Sequence, residues 1–146
     1  MFNVNYFYNN ISAPKLLRAG RKEVTMNESN DNKIQKLITK GISILSDMIE
    51  RYVPENNKFK KIFAAFDIPG TRNEALLSVS HDEIQPKDIR RFGVEVHHLN
   101  SDKFYSQYLY KGTKKEVLDF IQNSKNKEII ADSIEKLSNK VNEDYK

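Results

Sequence analysis

The chain has 146 residues, of which 24 are Lys or Arg and 20 are Asp or Glu, for a net charge of +4. That length suits one domain with a buried core, and the charge is too modest to mark an obligate nucleic-acid binder. The absence of cysteine excludes disulfides, thiolate nucleophiles and thiolate metal sites. No apolar run approaches the ~20 residues that span a bilayer, so a cytoplasmic protein with no membrane contact is expected.

The start, Met1 to Tyr8, lacks the basic and apolar regions of a signal peptide. Residues 1–30 are Asn-rich and carry Phe2, Tyr6, Phe7 and Tyr8 without a period, and Pro14 and Gly20 interrupt any helix. Asn27 to Asn32 is a polar run that reads as a linker. These residues are expected to form a flexible or accessory segment, with 1–25 dispensable for folding. The rival expectation is an arm whose aromatics dock on the domain or on a partner. Residues 31–146 are expected to form a single α+β domain.

The spacing predicts a helix over 31–53. Ile34, Leu37, Ile38, Ile42, Leu45, Met48, Ile49 and Tyr52 recur at three and four, which makes one apolar stripe. Gly41 lies on that stripe and permits close approach of another element. Pro54 ends the helix by disfavouring helical backbone at Val53. Lys61 to Asp67 and Ala75 to Ser80 flank the turn cluster Pro69-Gly70-Thr71-Arg72-Asn73, so they predict two hairpin strands. His81 to Asp88 form a polar connection that Ile84 and Ile89 pin down.

A second hairpin follows. Phe92, Val94, Val96 and His98 alternate with Gly93, Glu95, His97 and Leu99, then Asn100-Ser101-Asp102 turns the chain. Phe104, Ser106, Tyr108 and Tyr110 continue at a period of two. Pairing Phe92 with Tyr110, Val94 with Tyr108 and Val96 with Ser106 puts the apolar set on one face. Gly112 stops the strand, and Thr113 with Glu116 forms a capping box for a helix through Val117, Leu118 and Ile121. Asn123 to Asn126 breaks the chain. A last helix carries Ile130, Ile134, Leu137 and Val141 on one face, with Glu143 to Lys146 fraying. The expected architecture is α+β: an N-terminal amphipathic helix, a four-stranded mainly antiparallel meander, and two C-terminal helices packed on one sheet face.

Few residues offer chemistry. His97 and His98 are adjacent on a strand and point to opposite faces, so they cannot share a metal. His98 reads as a partly buried edge residue, and His81 and His97 as exposed. A small hydrolase or metal protein using His81, His97 or His98 is the weakest functional reading, because no ligand spacing or catalytic constellation accompanies them. No cofactor is implied.

Nucleic-acid binding has more support. Lys58, Lys60 and Lys61 form one basic cluster, Lys87, Arg90 and Arg91 a second, and Lys111, Lys114 and Lys115 a third. Phe59, Phe92, Tyr105 and Tyr110 accompany them, and aromatics bordered by cations can stack bases and hold phosphates. Lys114 and Lys115 oppose the dipole of the helix they begin. The leading reading is a non-catalytic binding protein. It engages a protein partner, or a second copy of itself, through an outer sheet face of Glu95, His97, Leu99, Tyr105, Gln107 and Leu109.

Overall fold

The computed structural model of the chain describes residues 30–81 and 86–145. The expected N-terminal arm lies outside the described residues, as do Asp82, Glu83 and Ile84 of the polar connection. The elements run α1 (Asn30–Tyr52), β1 (Ile62–Asp67), β2 (Asn73–His81), β3 (Arg90–His98), β4 (Phe104–Gly112), α2 (Lys114–Gln122), a 3-10 turn (Ser124–Asn126) and α3 (Lys127–Asp144). The strands form one antiparallel sheet in the order β1-β2-β3-β4. All three helices pack on one face, giving the α+β architecture the pattern predicts.

The core is the meeting of period-two and period-3.6 apolar sets. From the sheet come Ile62, Ala64 and Phe66, then Ala75, Leu77 and Val79, then Phe92, Val94 and Val96, all fully buried. From α1 come Leu37, Ile38, Leu45, Met48 and Ile49, from α2 Val117 and Ile121, and from α3 Ile130, Ile134 and Leu137. Gly41 lets α1 approach β2 closely: a methyl group there would sit 3.0 Å from Leu77 Cδ1. Tyr52, expected on the apolar stripe, is instead exposed at the end of α1.

Turn chemistry sets the sheet register. Ile68 C=O accepts from Thr71 N–H at 3.2 Å, with Pro69 and Gly70 between them and Gly70 at φ 77°. That is the arrangement of a type II turn, where proline presets the first central residue and glycine supplies the positive φ. At the start of α2 the capping box is complete. Glu116 N–H donates to Thr113 Oγ1 at 3.2 Å, and Thr113 N–H donates to Glu116 Oε1 at 2.9 Å. Such a cap contributes about 1 kcal/mol. The last helix runs to Asp144.

The second hairpin departs from the simple alternation. Phe92 pairs with Tyr110 as expected, but Gly93 pairs with Tyr108, Val94 with Gln107 and Val96 with Tyr105. A bulge at Leu109 accounts for the shift. Strict alternation would send Leu109 and Tyr110 to opposite faces, yet both pack against the core. Tyr110 also stacks on Phe120 of α2, with centroids 4.6 Å apart. Gly93 accommodates the bulge, because a Cβ there would stand 3.0 Å from Gln107 O and 3.1 Å from Tyr108 Cδ1. Every β4 residue before the bulge is therefore turned over relative to the expectation.

Candidate functional site

The bulge redraws the outer sheet face. Tyr105 and Gln107, expected to point outward, face the helices: Tyr105 Oη donates to Asp144 Oδ2 at 2.7 Å, and Gln107 Oε1 accepts from Ser133 Oγ at 2.7 Å. Leu109 is the half-buried bulge residue. Phe104, Ser106 and Tyr108 take the outer face instead, beside Glu95 and His97. Phe104 is 52% exposed and Tyr108 55% exposed. Leu99 lies beyond β3 in the connecting loop, also exposed. A register that places each apolar residue of β4 inward leaves no room for a bulge and so keeps these two aromatics off the outer face. Gly93, which pairs with Tyr108 where the register shifts, is the residue on β3 that accompanies the bulge.

Charge is arranged along this face. Asp67, Glu74, His97 and Phe104 cross it at the end near the β1–β2 turn, in a continuous register row. Ser80, Arg91 and Lys111 cross it at the other end. Glu95 forms an ion pair with Lys61. The Arg91 guanidinium lies over the Tyr108 ring, 4.7 Å from its centroid, and Lys61 Nζ lies 5.9 Å from the centroid of Phe104.

The basic clusters begin from one end of the sheet but spend their side chains differently. Arg90 is fully buried, so the expectation that it belongs to a phosphate-binding patch is corrected. It donates to the carbonyls of Pro54, Asn57 and Lys87 at 2.7, 3.1 and 2.6 Å. Burial lowers its pKa, and the carboxylates of Asp88 and Glu55 oppose that shift. Lys115 pairs with Asp119 at 3.0 Å, and Lys114 Nζ donates to Glu50 C=O of α1 at 3.4 Å. Lys114 thus sits against the C-terminal carbonyls of α1, where a cation is favourable. Lys60 and Lys111 are exposed.

Each histidine has a structural environment. The His98 ring stacks on Tyr145 with centroids 4.1 Å apart, and His81 meets Phe59 edge-on at 6.1 Å. His97 is half-buried, which corrects the expectation that it is exposed. Its Nδ1 faces the carbonyls of His98 and Ser101 at 2.9 and 3.1 Å, and its Nε2 faces Glu74 Oε1 at 2.9 Å. Acceptors at both nitrogens call for a donor at both, which is the imidazolium. Burial opposes that charge, but the bonds to Glu74, His98 and Ser101 outweigh it, and the His97 pKa is raised above 6.5. The stabilisation is therefore complete below about 6.5 and is lost as pH rises through the higher folded-state value. Glu74→Gln should remove on the order of 1 kcal/mol at pH 6 and less at pH 8.5. Urea unfolding of both proteins at the two pH values checks this; a difference that grows with pH would contradict the assignment.

Among the described residues no group of three or more His, Asp or Glu is placed to hold a metal ion. A cleft of about 600 Å³ opens between α1, the β1–β2 turn and α3, lined in part by Gln35, Thr71, Asp132, Glu135 and Asn142. No histidine borders it, and the hydroxyl of its Ser138 is engaged with Asn73. No helix of the described residues is long and apolar enough to cross a membrane. Comparison of the chain with protein-family models, curated proteins and solved structures finds no match.

Proposed function

We propose that this is a non-catalytic binding protein whose β4 edge receives an extended segment of a protein partner as a fifth strand. One observation carries the reading: β4 is a nine-residue edge strand whose outward aromatics, Phe104 and Tyr108, are more than half exposed. An edge strand presents a row of backbone donors and acceptors that another strand can pair with. Exposed aromatics beside it supply the anchors that dominate interface energetics.

Charge selects the occupant. Lys103 and Lys111 stand exposed at the two ends of β4, Lys140 Nζ lies 6.0 Å from the centroid of the Tyr105 ring, and Arg91 lies over Tyr108. An acidic segment meets opposite charge at Lys103 and Lys111, at the two ends of the strand. A second copy does not, because an antiparallel β4–β4 pair brings the Lys103 end of one strand to the Lys111 end of the other.

Nucleic acid is the second reading. It is favoured by Lys60, Lys61, Arg91 and Lys111 gathering at one sheet end, and weakened by the burial of Arg90 and the ion pair of Lys61 with Glu95.

Selection of random strand-length peptides on the full chain tests the proposal. Acid-rich peptides with alternating apolar residues should be enriched and should shift the backbone amides of 104–112. The double variant Phe104→Asp, Tyr108→Asp should bind them at least about tenfold more weakly. Peptides with no acidic bias, or shifts confined to other elements, would overturn it. Salt-dependent binding of mixed-sequence oligonucleotides that falls in Arg91→Glu, Lys111→Glu would move the assignment to nucleic acid.

A further inference from the structure

On its helix-facing side the β4 edge is walled by α3, which packs over β3 and β4. Three contacts fix which flank of α3 turns toward β4. Ser133 Oγ donates to Gln107 Oε1 at 2.7 Å, Tyr105 Oη donates to Asp144 Oδ2 at 2.7 Å, and Lys140 Nζ lies 6.0 Å from the Tyr105 ring centroid. Residues 129, 133, 136 and 140 are three or four apart, so Ile129 and Lys136 share that flank. The groove between strand and helix is open. Gln107 points toward α3 yet is exposed, Lys136 and Lys140 are exposed, and Ile129 is 47% exposed.

We propose that this flank of α3 sets the specificity of the β4 edge: in the segment received there, the residues that face the helix are acidic and meet Lys136 and Lys140. The alternate residues are apolar and lie beside Phe104 and Tyr108. This assignment rests on the fifth-strand reading and adds to it the residues that choose the partner.

Strand geometry and charge both support it. A strand paired with β4 runs about 4.8 Å beyond it and sends successive side chains to opposite faces, so every second one enters the groove. Among the described residues neither Lys136 nor Lys140 forms an ion pair. Like charges four residues apart on a helix repel, and a carboxylate placed beside both relieves that repulsion. Asp144, the carboxylate on this flank, is already held by Tyr105. The other side of the edge is different. Between the exposed lysines at its ends, β4 offers the outer face Phe104, Ser106 and Tyr108, which suit apolar side chains.

The test uses synthetic nine-residue peptides, the length of β4, that alternate Asp with Val or Thr, and the full chain enriched for NMR. The acidic peptide should shift the backbone amides of 104–112 and of 129–140. Lys136→Glu with Lys140→Glu should weaken it about tenfold or more, whereas the equally charged control Lys40→Glu with Lys127→Glu, where α1 meets α3, should weaken it far less. A matching peptide with Lys in place of Asp should bind the Lys136→Glu, Lys140→Glu variant more tightly than it binds the parent. A peptide of the same composition with its acids consecutive should bind the parent more weakly than the alternating one. If 104–112 shift but the two double variants weaken binding equally, or the consecutive peptide binds as well, α3 does not read the segment and the fifth-strand reading alone survives. If no peptide shifts 104–112, both readings fail.

Discussion

Arg90→Ala should lower the unfolding free energy by about 3 kcal/mol or more, the range for losing several hydrogen bonds to a buried charged group. Arg90 is the largest fully buried side chain among the described residues. Its Nε and Nη2 both donate to Pro54 C=O at 3.2 and 2.7 Å, Nη2 also donates to Asn57 C=O at 3.1 Å, and Nη1 donates to Lys87 C=O at 2.6 Å. Phe59 lies against the guanidinium, 5.0 Å from centroid to Cζ. One side chain thus ties the connection that follows α1 to the loop before β3. The carbonyls it serves belong to loops, so water can replace some of these bonds when Arg90 is removed, and the loss stays well below the sum of the bonds. Arg90→Lys should recover only part of it, because an ammonium cannot reproduce the planar fork that reaches carbonyls on both sides. Urea midpoints of the three proteins decide the matter. An alanine variant within about 0.5 kcal/mol of the parent, as for an ordinary surface position, would return Arg90 to the solvent-facing basic cluster its sequence neighbours suggest.

Arg90 shows where the sequence becomes hard to read. Lys87, Arg90 and Arg91 look alike as a basic cluster, but strand parity sends Arg91 to the outer face and Arg90 toward the helices. Parity alone would place a charge in the core. What makes the placement tolerable is the set of carbonyls at Pro54, Asn57 and Lys87, and no local pattern announces that they converge.

The same holds for the candidate surface. Most of the fold is legible because local rules agree there: the α1 stripe, Pro69-Gly70 in the first turn, the Thr113–Glu116 box. Phe92 opposite Tyr110 is also legible. The bulge at the adjacent Leu109 is not, because Leu109 and Tyr110 both prefer the core and only tertiary packing lets both enter it. That single extra residue exchanges Tyr105 and Gln107 for Phe104 and Tyr108 on the outer face. It thereby changes which side chains a partner would meet.

Asn73→Asp, a nearly isosteric change, should cost on the order of 3 kcal/mol at pH 7, more than Asn73→Ala at about 1–2 kcal/mol. Asn73 is fully buried at the start of β2 and links the sheet to α3. Its Nδ2 donates to Ser138 Oγ and Asn142 Oδ1, both at 2.8 Å, and lies 3.4 Å from Ser138 C=O. A carboxylate would set a negative charge against those acceptors. Ser138 can turn its hydroxyl and Asn142 can turn its amide, but the Ser138 carbonyl cannot invert, so part of the conflict remains. Burial and that conflict both raise the pKa of the new carboxyl in the folded protein. The unfolded chain then ionises first, at about 3.9. The added penalty is accordingly absent below that pH, grows as pH rises, and is complete above the folded-state pKa. Comparing urea midpoints at pH 4 and pH 7 separates this from a packing defect. The aspartate variant should approach the parent at pH 4, while the alanine variant should keep the same deficit at both. If aspartate and alanine behave alike at both pH values, water has replaced the lost donors, and Asn73 holds the sheet to α3 less tightly than its distances imply.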